Sequence, residues 1–254
     1  MGPFVKHMMK KIKDTLKYLS RKYLDYDPSL RKVRISDDFV DQKTILSKLH
    51  NVEIIFDVGA NVGQTTQKYR KLFPEASVYG FEPFPEVFAK YLRAFAGDRQ
   101  VHPENIALSN KNGDAKFFLN SLHYTNSLLP NNTRYTAAMG SYEPVATTRV
   151  KTETLDSYCI AHTIERIDIL KMDVQGGELL VLEGAREYLR SGRITLIYAE
   201  VEFVPIYENQ PLLDDLERFL KQYGYALHKI YNISSWDSHG VVAADAIFVR
   251  IGTK

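Results

Sequence analysis

Residues 52–66 read VEIIFDVGANVGQTT, the stretch with the clearest structural pattern in the chain. Its first part, Val52–Val58, is short, apolar and rich in β-branched residues, which predicts a strand buried on both faces of a sheet. Gly59 and Gly63 then allow a tight turn and let the backbone approach a ligand closely. Helix-forming residues follow from Gln64 to Phe73. A strand, a glycine-rich turn and a helix in this order predict the first unit of a Rossmann-like fold.

Strand and helix patterns alternate along the rest of the chain. Further strands are predicted at Ser77–Glu82, Gln100–Leu108, Ala115–Leu119, Ile167–Asp173 and Ile194–Val201. Further helices are predicted at Pro85–Ala96, Thr154–His162, Gly177–Leu189 and Leu212–Tyr223, and a closing antiparallel pair at Tyr225–Asn232 and Ala246–Ile251. Residues 120–145 are rich in Asn, Ser, Thr and Pro, which predicts a functional lid or a disordered loop. Five strand–helix units with right-handed crossovers predict an α/β fold, a doubly wound and mostly parallel sheet with helices on both faces.

The composition is that of an ordinary globular protein, with 44% apolar and 25% charged residues among 254. Cys159 is the single cysteine, so an intrachain disulfide is excluded and a reducing, cytoplasmic location is expected. No apolar run approaches about 20 residues, so we expect no transmembrane helix. The first residues lack the apolar centre of a signal peptide.

The N-terminal segment differs from the rest of the chain in charge. Residues 1–34 contain ten Lys or Arg and three Asp, a net charge of +7 that leaves −5 for the remaining residues. Apolar residues recur there at helical spacing, which predicts a basic amphipathic helix. Such a helix contacts an anionic membrane surface or a polyanionic substrate, or it packs on its own domain as a solvated helix. We divide the chain into a basic helical extension, residues 1–49, and a Rossmann-like domain, residues 50–254.

Carboxylates follow the first two predicted strands. Asp57 is expected to face the amino-acid part of a cofactor, whose ammonium group requires a carboxylate partner. Glu82 lies 25 residues further on, the range in which a Rossmann fold places an acidic residue on ribose hydroxyls. The loop has Asn61 between Gly59 and Gly63, not the Gly-x-Gly-x-x-Gly spacing of a dinucleotide site. This difference favours a cofactor without a pyrophosphate group.

A second cluster of polar residues follows the predicted strand at 167–173, where the chain reads KMDVQGGE from Lys171 to Glu178. Asp173 is expected beside the reactive end of the cofactor. Glu178 suits the first turn of the next helix, where a carboxylate is favoured by the helix dipole, so its role is either functional or capping.

An ordered set of motifs in this chain resembles the FkbM family of S-adenosylmethionine-dependent methyltransferases. The resemblance covers roughly residues 50–250, and the set is far more specific than any single motif. The motifs are FDVGANVGQTT (56–66), GFEP (80–83), NIALSN (105–110), TNSL (125–128), ETLDS (153–157), KMDVQGGELLVLEGA (171–185) and AEV (199–201).

The resemblance implies a class I methyltransferase fold, with a mostly parallel seven-stranded sheet whose last strand is antiparallel. It also implies methyl transfer to oxygen, often to sugar or polyketide hydroxyls, by the domain at residues 50–254. By position, the methionine part of the cofactor would lie among Asp57, Gly59, Ala60, Asn61 and Gly63. Glu82 with Pro83 would bind the ribose, and Asn105 and Ile106 would lie near the adenine.

The predicted reaction moves the methyl group to a hydroxyl of a small molecule or saccharide. An alcohol is a poor nucleophile near neutral pH, so a positioned side chain has to take its proton. Asp173 and Glu200, both at carboxyl ends of predicted strands, are the candidate bases, and His123 and Tyr124 in the long loop are weaker ones. Tyr124, Asn126 and Ser127 in the long loop are candidate substrate contacts. The seven His residues are scattered without ligand spacing, so we expect no metal site.

Two other functions are weighed against this one. A nucleic-acid or protein methyltransferase would share the fold, but the chain lacks an Asn/Asp-Pro-Pro-aromatic run, and Pro does not precede Cys159. A cofactor-binding module without catalysis would be expected to have lost Asp57, Glu82 or Asp173, and all three are present. Tight cofactor binding without turnover on a broad acceptor panel would favour the module.

Overall fold

The computed structural model describes residues 37–49, 51–136, 142–236 and 240–251. The predicted basic helix within residues 1–34 and its membrane contact lie outside these residues. The helices are α1 (Asp37–Leu46), α2 (Gln64–Leu72), α3 (Pro85–Ala94), α4 (Thr133–Thr136), α5 (Leu155–Ala161), α6 (Glu178–Glu183), α7 (Arg186–Arg190) and α8 (Leu213–Lys221). The strands are β1 (Ile54–Val58), β2 (Ser77–Phe81), β3 (Val101–Glu104), β4 (Ala107–Leu108), β5 (Gly113–Asn120), β6 (Pro144–Glu153), β7 (Ile167–Met172), β8 (Ile194–Glu202), β9 (Tyr225–Trp236) and β10 (Gly240–Arg250).

Seven strands form the large sheet in the order β3-β2-β1-β7-β8-β10-β9. The pairs from β3 through β8 are parallel, whereas β10 runs antiparallel to both β8 and β9. This confirms the predicted seven-stranded, mostly parallel sheet with an antiparallel last strand. Strand order reverses between β1 and β7, and such a reversal places ligands beyond the carboxyl ends of the strands.

Successive residues of the central strands face two different core clusters. Phe56, Leu170 and Ile197 pack in one cluster, with apolar residues of α5, α6, α7 and α8. Their neighbours Ile55, Ile169 and Leu196 pack in the other, with residues of α1 and α2. Helices therefore cover both faces, which explains why the strands read as continuous apolar runs rather than alternating ones.

Two predicted elements are divided in the structure. The predicted strand at 100–108 was wrong as a single strand, because β3 joins the large sheet while β4 pairs with β6 in a separate three-stranded sheet. The predicted helix at 177–189 is two helices separated at Gly184. A Cβ on Gly184 would lie 2.1 Å from the backbone oxygen of Ser109, so close packing of two backbones sets this break.

Strand β6 has no counterpart among the predicted elements. It begins within the predicted loop at 120–145 and pairs antiparallel with β5 over most of its length. The rest of that loop contains a 3₁₀ turn at His123–Thr125, helix α4, and bridges from Ser127 to Phe118 and from Asn131 to Tyr207. These contacts hold its described residues against the sheet.

Helix α1 lies within the predicted extension and packs on the sheet. Phe39 and Leu46 are buried in the α1–α2 core cluster, and the Tyr198 hydroxyl donates a hydrogen bond to Asp38. None of the described helices has both the length and the apolar character required to cross a bilayer.

Candidate active site

A cleft of about 800 Å³ follows the carboxyl ends of the strands of the large sheet. It brings together eleven of the residues predicted from the sequence: Gly59, Ala60, Asn61, Glu82, Pro83, Ile106, His123, Tyr124, Asn126, Asp173 and Glu200. Four others do not line it: Asp57, Gly63, Asn105 and Ser127. These four lie behind the lining residues, and each makes contacts that hold the cleft wall.

The loop from β1 to α2 is fixed by its backbone. The amide groups of Gly59 and Ala60 both donate to the carbonyl oxygen of Phe81 at 3.0 Å. Gly59 has φ +75, and a Cβ there would lie 1.9 Å from the backbone oxygen of Asp173, so only glycine fits. Asn61 is also in the left-handed region, with φ 50, and its side-chain Oδ1 is buried without a hydrogen-bond partner among the described residues.

Asp57 lies under this loop and is fully buried. Its carboxylate is 2.9 Å from Lys171 Nζ and accepts a hydrogen bond from Thr66 Oγ1 at 2.6 Å. Lys171 also donates to the carbonyl oxygens of Gly59 at 3.0 Å and Val58 at 3.3 Å. Asp57 therefore contacts the loop through a lysine, and the expected direct contact with a cofactor ammonium group stays a prediction.

Lys171 was not predicted as a functional residue. The sequence did contain an indication, because Lys171 is the only cation in the mainly apolar strand β7. The structure adds that it stands opposite Asp57 in the parallel register with β1. A buried ion pair of this kind is costly to break on one side, since the remaining charge is left unpaired in the interior.

Glu82 lines the cleft at the end of β2 and is 8% exposed. Its two carboxylate oxygens accept hydrogen bonds from the backbone amides of Asn61 at 3.1 Å and Phe84 at 2.9 Å. Burial raises the pKa of Glu82 to about 7, although these two amide donors and Lys171 act in the opposite direction. The carboxyl group thus changes charge near neutral pH.

Asn105 and Ile106, both predicted to lie near the adenine, have different contacts in the structure. The Asn105 side-chain amide donates to the carbonyl oxygens of Glu82 at 2.9 Å and Pro83 at 3.1 Å, so it supports the turn after β2. Ile106 lines the cleft and gives this wall an apolar surface. Their position between β3 and β4 is also where the predicted single strand is broken.

One side chain joins the two candidate bases. Gln175 Nε2 is 2.9 Å from Asp173 Oδ1 and 2.7 Å from Glu200 Oε2, so its two amide hydrogens are donated to two carboxylates. The amide orientation follows from these two acceptors, because ionised carboxylates require donors and only the nitrogen can donate. The amide oxygen then lies 2.9 Å from the Tyr207 hydroxyl. Gln175 was not predicted, and its left-handed φ of 57 is visible only in the structure.

The long loop is attached to the same glutamine. Ser127 Oγ donates to the Gln175 carbonyl oxygen at 2.6 Å, and the Tyr207 hydroxyl lies 2.9 Å from the Thr125 carbonyl oxygen. Ser127 is fully buried, so its contact is with the protein backbone. Asn126 lines the cleft while its Oδ1 accepts from the backbone amide of Asn120.

Two remaining candidates have simpler surroundings. Glu178 is buried and accepts a hydrogen bond from the Val174 backbone amide at 2.9 Å, so it holds the loop that precedes α6, and neither the capping nor the functional role predicted for it is tested. His123 lines the cleft, and partial burial together with Lys90 lowers its pKa. In the part of the chain that the structure describes, no three metal-ligating side chains are grouped together.

The sheet order, the glycine loop after β1 and the acidic residue after β2 define a class I methyltransferase fold. Residues 57–227 match the model of the methyltransferase FkbM domain. The chain therefore belongs to the FkbM family of S-adenosylmethionine-dependent methyltransferases, as the motifs indicated.

Two curated relatives name their activities. The chain is 29% identical over 168 residues to 2-O-methyltransferase NoeI of Sinorhizobium fredii, a match that covers 62% of this chain and 66% of the relative. It is 25% identical over 171 residues to hexuronic acid methyltransferase AglP of Haloferax volcanii, covering 66% of this chain and 64% of the relative. The matched region thus spans slightly less than two thirds of each of these relatives.

Among solved structures, Aeropyrum pernix fibrillarin in complex with natively bound S-adenosyl-L-methionine aligns with a TM-score of 0.42 and 16% identity. The alignment covers 80% of this chain and 72% of fibrillarin.

Proposed function

We propose that the protein transfers the methyl group of S-adenosylmethionine to a hydroxyl group of a saccharide or another small molecule. The observation that carries this proposal is the pair of carboxylates, Asp173 and Glu200, held by the single amide of Gln175 inside the cleft. Their alignment gives a base a fixed position next to the glycine loop. An acceptor hydroxyl requires such a base because it is not ionised near neutral pH.

The residues of the cleft fit the proposed cofactor. Asn61 offers a buried acceptor oxygen without a partner in the described chain, which suits a donor such as an ammonium group. Glu82 offers a carboxylate for the two ribose hydroxyls, and Ile106 an apolar wall for the adenine. When bound, the cofactor supplies an electrophilic methyl group on a sulfonium.

The two carboxylates have different surroundings, and we assign them different tasks. Asp173 follows β7 directly, and its backbone oxygen contacts Gly59 of the glycine loop, so it faces the cofactor. Glu200 lies one strand further from β1, on β8, and is 5% exposed. Glu200 takes the proton of the acceptor hydroxyl as the oxygen gains the methyl group, while Asp173 orients the cofactor and Gln175 aligns both.

The acceptor class is supported by the relatives. The name of one relative specifies methylation at a 2-O position, and that of the other a hexuronic acid. Both descriptions are compatible with a cleft whose walls carry carboxylate, amide and tyrosine side chains, the groups that bind sugar hydroxyls. A saccharide hydroxyl is therefore our first choice of acceptor.

The proposal is tested in two steps. Calorimetric titration with S-adenosylhomocysteine should give micromolar binding for the wild type and no binding for Glu82→Ala. Methyl transfer to a panel of hydroxylated glycans should then separate the carboxylates. We expect Asp173→Asn to raise the KM for the cofactor and Glu200→Gln to lower kcat.

A distant substitution provides the matched control. Glu217 is exposed on α8 and does not line the cleft, so Glu217→Gln removes one negative charge without touching it. Full turnover in both Asp173→Asn and Glu200→Gln would contradict the assigned roles. Tight S-adenosylhomocysteine binding without turnover on any acceptor would favour the non-catalytic module instead, and turnover on RNA or protein alone would favour that class of acceptor.

A further inference from the structure

A short segment after β8 holds the long loop against the sheet, and we call residues 206–210 the docking segment. Tyr207 of this segment forms an antiparallel bridge with Asn131 of the loop. Two backbone hydrogen bonds flank the bridge, from the amide of Asn132 to Ile206 at 2.9 Å and from the amide of Glu208 to Pro130 at 2.8 Å. The loop and the docking segment are therefore paired through their backbones, as two short strands are.

Tyr207 is the buried centre of this contact. Its side chain is fully buried, and its hydroxyl group lies 2.9 Å from each of two oxygens, the Thr125 carbonyl oxygen and Gln175 Oε1. Both oxygens are acceptors, whereas a phenol has a single hydrogen, so this hydrogen is shared between the loop and the glutamine. Gly176 leaves room for the ring, because a Cβ there would lie 3.0 Å from Tyr207 Cδ2. One side chain thus connects the loop to the amide that holds the two carboxylates.

Ser127 provides a second connection from the loop to the same glutamine. Its Oγ donates to the Gln175 carbonyl oxygen at 2.6 Å and accepts from the Leu129 backbone amide at 2.9 Å. Gln175 has φ 57, in the left-handed region that a non-glycine residue occupies only when its surroundings hold it there. Contacts with the loop therefore help to keep a strained backbone at the residue that aligns Asp173 and Glu200.

The loop residues next to these connections line the cleft. Tyr124 and Asn126 flank Thr125, and both are lining residues. Asn126 is held in turn, since its Oδ1 accepts from the Asn120 backbone amide at 2.8 Å. A ligand in the cleft that contacts Tyr124 or Asn126 therefore acts on the peptide groups beside the carbonyl that Tyr207 binds.

We propose that Tyr207 is a positioning residue that couples docking of the long loop to the alignment of Asp173 and Glu200 by Gln175. This inference rests on the proposed methyl transfer, in which Glu200 takes the acceptor proton and Asp173 orients the cofactor. With the loop docked, the Gln175 amide is held by the two carboxylates on one side and by Tyr207 on the other. With the loop released, Gln175 loses the Ser127 contact, its strained backbone relaxes, and the carboxylates lose their common donor.

The first test needs no acceptor. Because coupling between two sites is reciprocal, a ligand bound beside Asp173 should in turn stabilise the docked loop. The Ser127 backbone amide reports on docking, since it donates to the Phe118 carbonyl oxygen at 3.1 Å. We expect saturating S-adenosylhomocysteine to slow hydrogen exchange at this amide at least about fivefold in the full chain, and this slowing should be lost in Tyr207→Phe.

Tyr225→Phe is the matched control for the loss of a buried phenol hydroxyl. Tyr225 is 1% exposed, its hydroxyl donates to the Ile194 carbonyl oxygen, and it does not line the cleft. This variant should keep both the slowing by S-adenosylhomocysteine and the wild-type kcat. Thermal unfolding of every variant shows whether it is folded.

A double-mutant cycle on methyl transfer separates coupling from a merely structural role. On a glycan that the panel identifies as an acceptor, Tyr207→Phe should lower kcat at least about fivefold in the wild type. In the Gln175→Leu background the same change should lower kcat by less than about twofold, because Tyr207 acts through that glutamine. Ser127→Ala removes the other connection and should lower kcat as well.

Three results would overturn the inference. They are the absence of any slowing in the wild type, the same slowing in Tyr207→Phe as in the wild type, and kcat effects of Tyr207→Phe and Gln175→Leu that simply multiply. If S-adenosylhomocysteine binds and one of these results is found, only this inference is lost; if it does not bind, the proposed function fails as well. If no glycan of the panel is methylated, the exchange measurement decides alone.

Discussion

The pKa of Glu82 predicts how cofactor affinity depends on pH. Burial raises this pKa to about 7, and the carboxyl group accepts hydrogen bonds at both oxygens, as two ribose hydroxyls require, when it is ionised. The binding-competent fraction is then about nine-tenths at pH 8 and about one-tenth at pH 6. We therefore expect the apparent Kd for a ribose-containing ligand to be about tenfold weaker at pH 6 than at pH 8.

The assay uses 5′-methylthioadenosine, which carries both ribose hydroxyls and no group that titrates between these pH values. Isothermal titration at pH 6, 7 and 8 gives the wild-type dependence. Glu82→Gln keeps the shape of the side chain and cannot ionise, so its weaker Kd should be independent of pH. Replacement of His123, another residue of the cleft, by Gln should leave the wild-type slope in place, because we assign that slope to Glu82 alone; burial lowers the pKa of His123 and so favours its neutral form.

The same group makes the ligand-free protein less stable as pH rises. The pKa of Glu82 in the folded chain is above its ordinary value of 4.5, so its contribution is fully present below pH 4.5 and is lost as pH rises through about 7. The loss corresponds to about 3 kcal/mol of unfolding free energy, and Glu82→Gln should remove that part of the pH dependence. A wild-type Kd that is constant from pH 6 to pH 8, or the same slope in Glu82→Gln, would refute the reasoning.

Three further predictions concern contacts around the site. Lys171→Met should lower the unfolding free energy by about 3–5 kcal/mol in urea denaturation, because the buried Asp57 carboxylate loses its cation, and wild-type stability would contradict this. Gly184→Ala should lower the unfolding free energy by more than about 1 kcal/mol in the same assay, since the new Cβ would lie 2.1 Å from the Ser109 oxygen. Gly177→Ala, whose new Cβ would have its nearest atom at 3.4 Å, should lower it less. Equal losses would show that packing at Gly184 does not set the break between α6 and α7. Gln175→Leu should lower kcat at least about tenfold and weaken S-adenosylhomocysteine binding less than Asp173→Asn does, because Asp173 itself is kept; an unchanged kcat would remove its aligning role.

The predictable part of the fold is the part set by local pattern. The buried strands and the glycine loop were found because apolar runs and glycine turns depend on few neighbours. The break at Gly184 was missed because it comes from contact with Ser109, which is distant in sequence. Strand β6 was missed because most of its residues are exposed and it pairs in a small separate sheet.

In the candidate site too, residues set by local pattern were predicted and residues set by distant contacts were missed. Residues at strand ends, such as Glu82 and Asp173, were placed at the cleft because parallel strands end at one edge of a sheet. Lys171 and Gln175 were missed because their importance lies in pairing with residues from other strands. Asp38 and Asp245 lie outside any motif, and only the sheet register and the packing of α1 bring them to the cleft.

Helix α1 and strand β10 contribute to the cleft but lie outside the region that matches the family. The match covers residues 57–227, so Asp38 of α1 precedes it and Asp245 of β10 follows it. The residues proposed for the cofactor lie inside the match, whereas part of the cleft wall comes from the two flanks. Exchange of these flanks between relatives should therefore alter the choice of acceptor without altering cofactor binding, and trimming the chain to its matched region should remove one wall of the cleft.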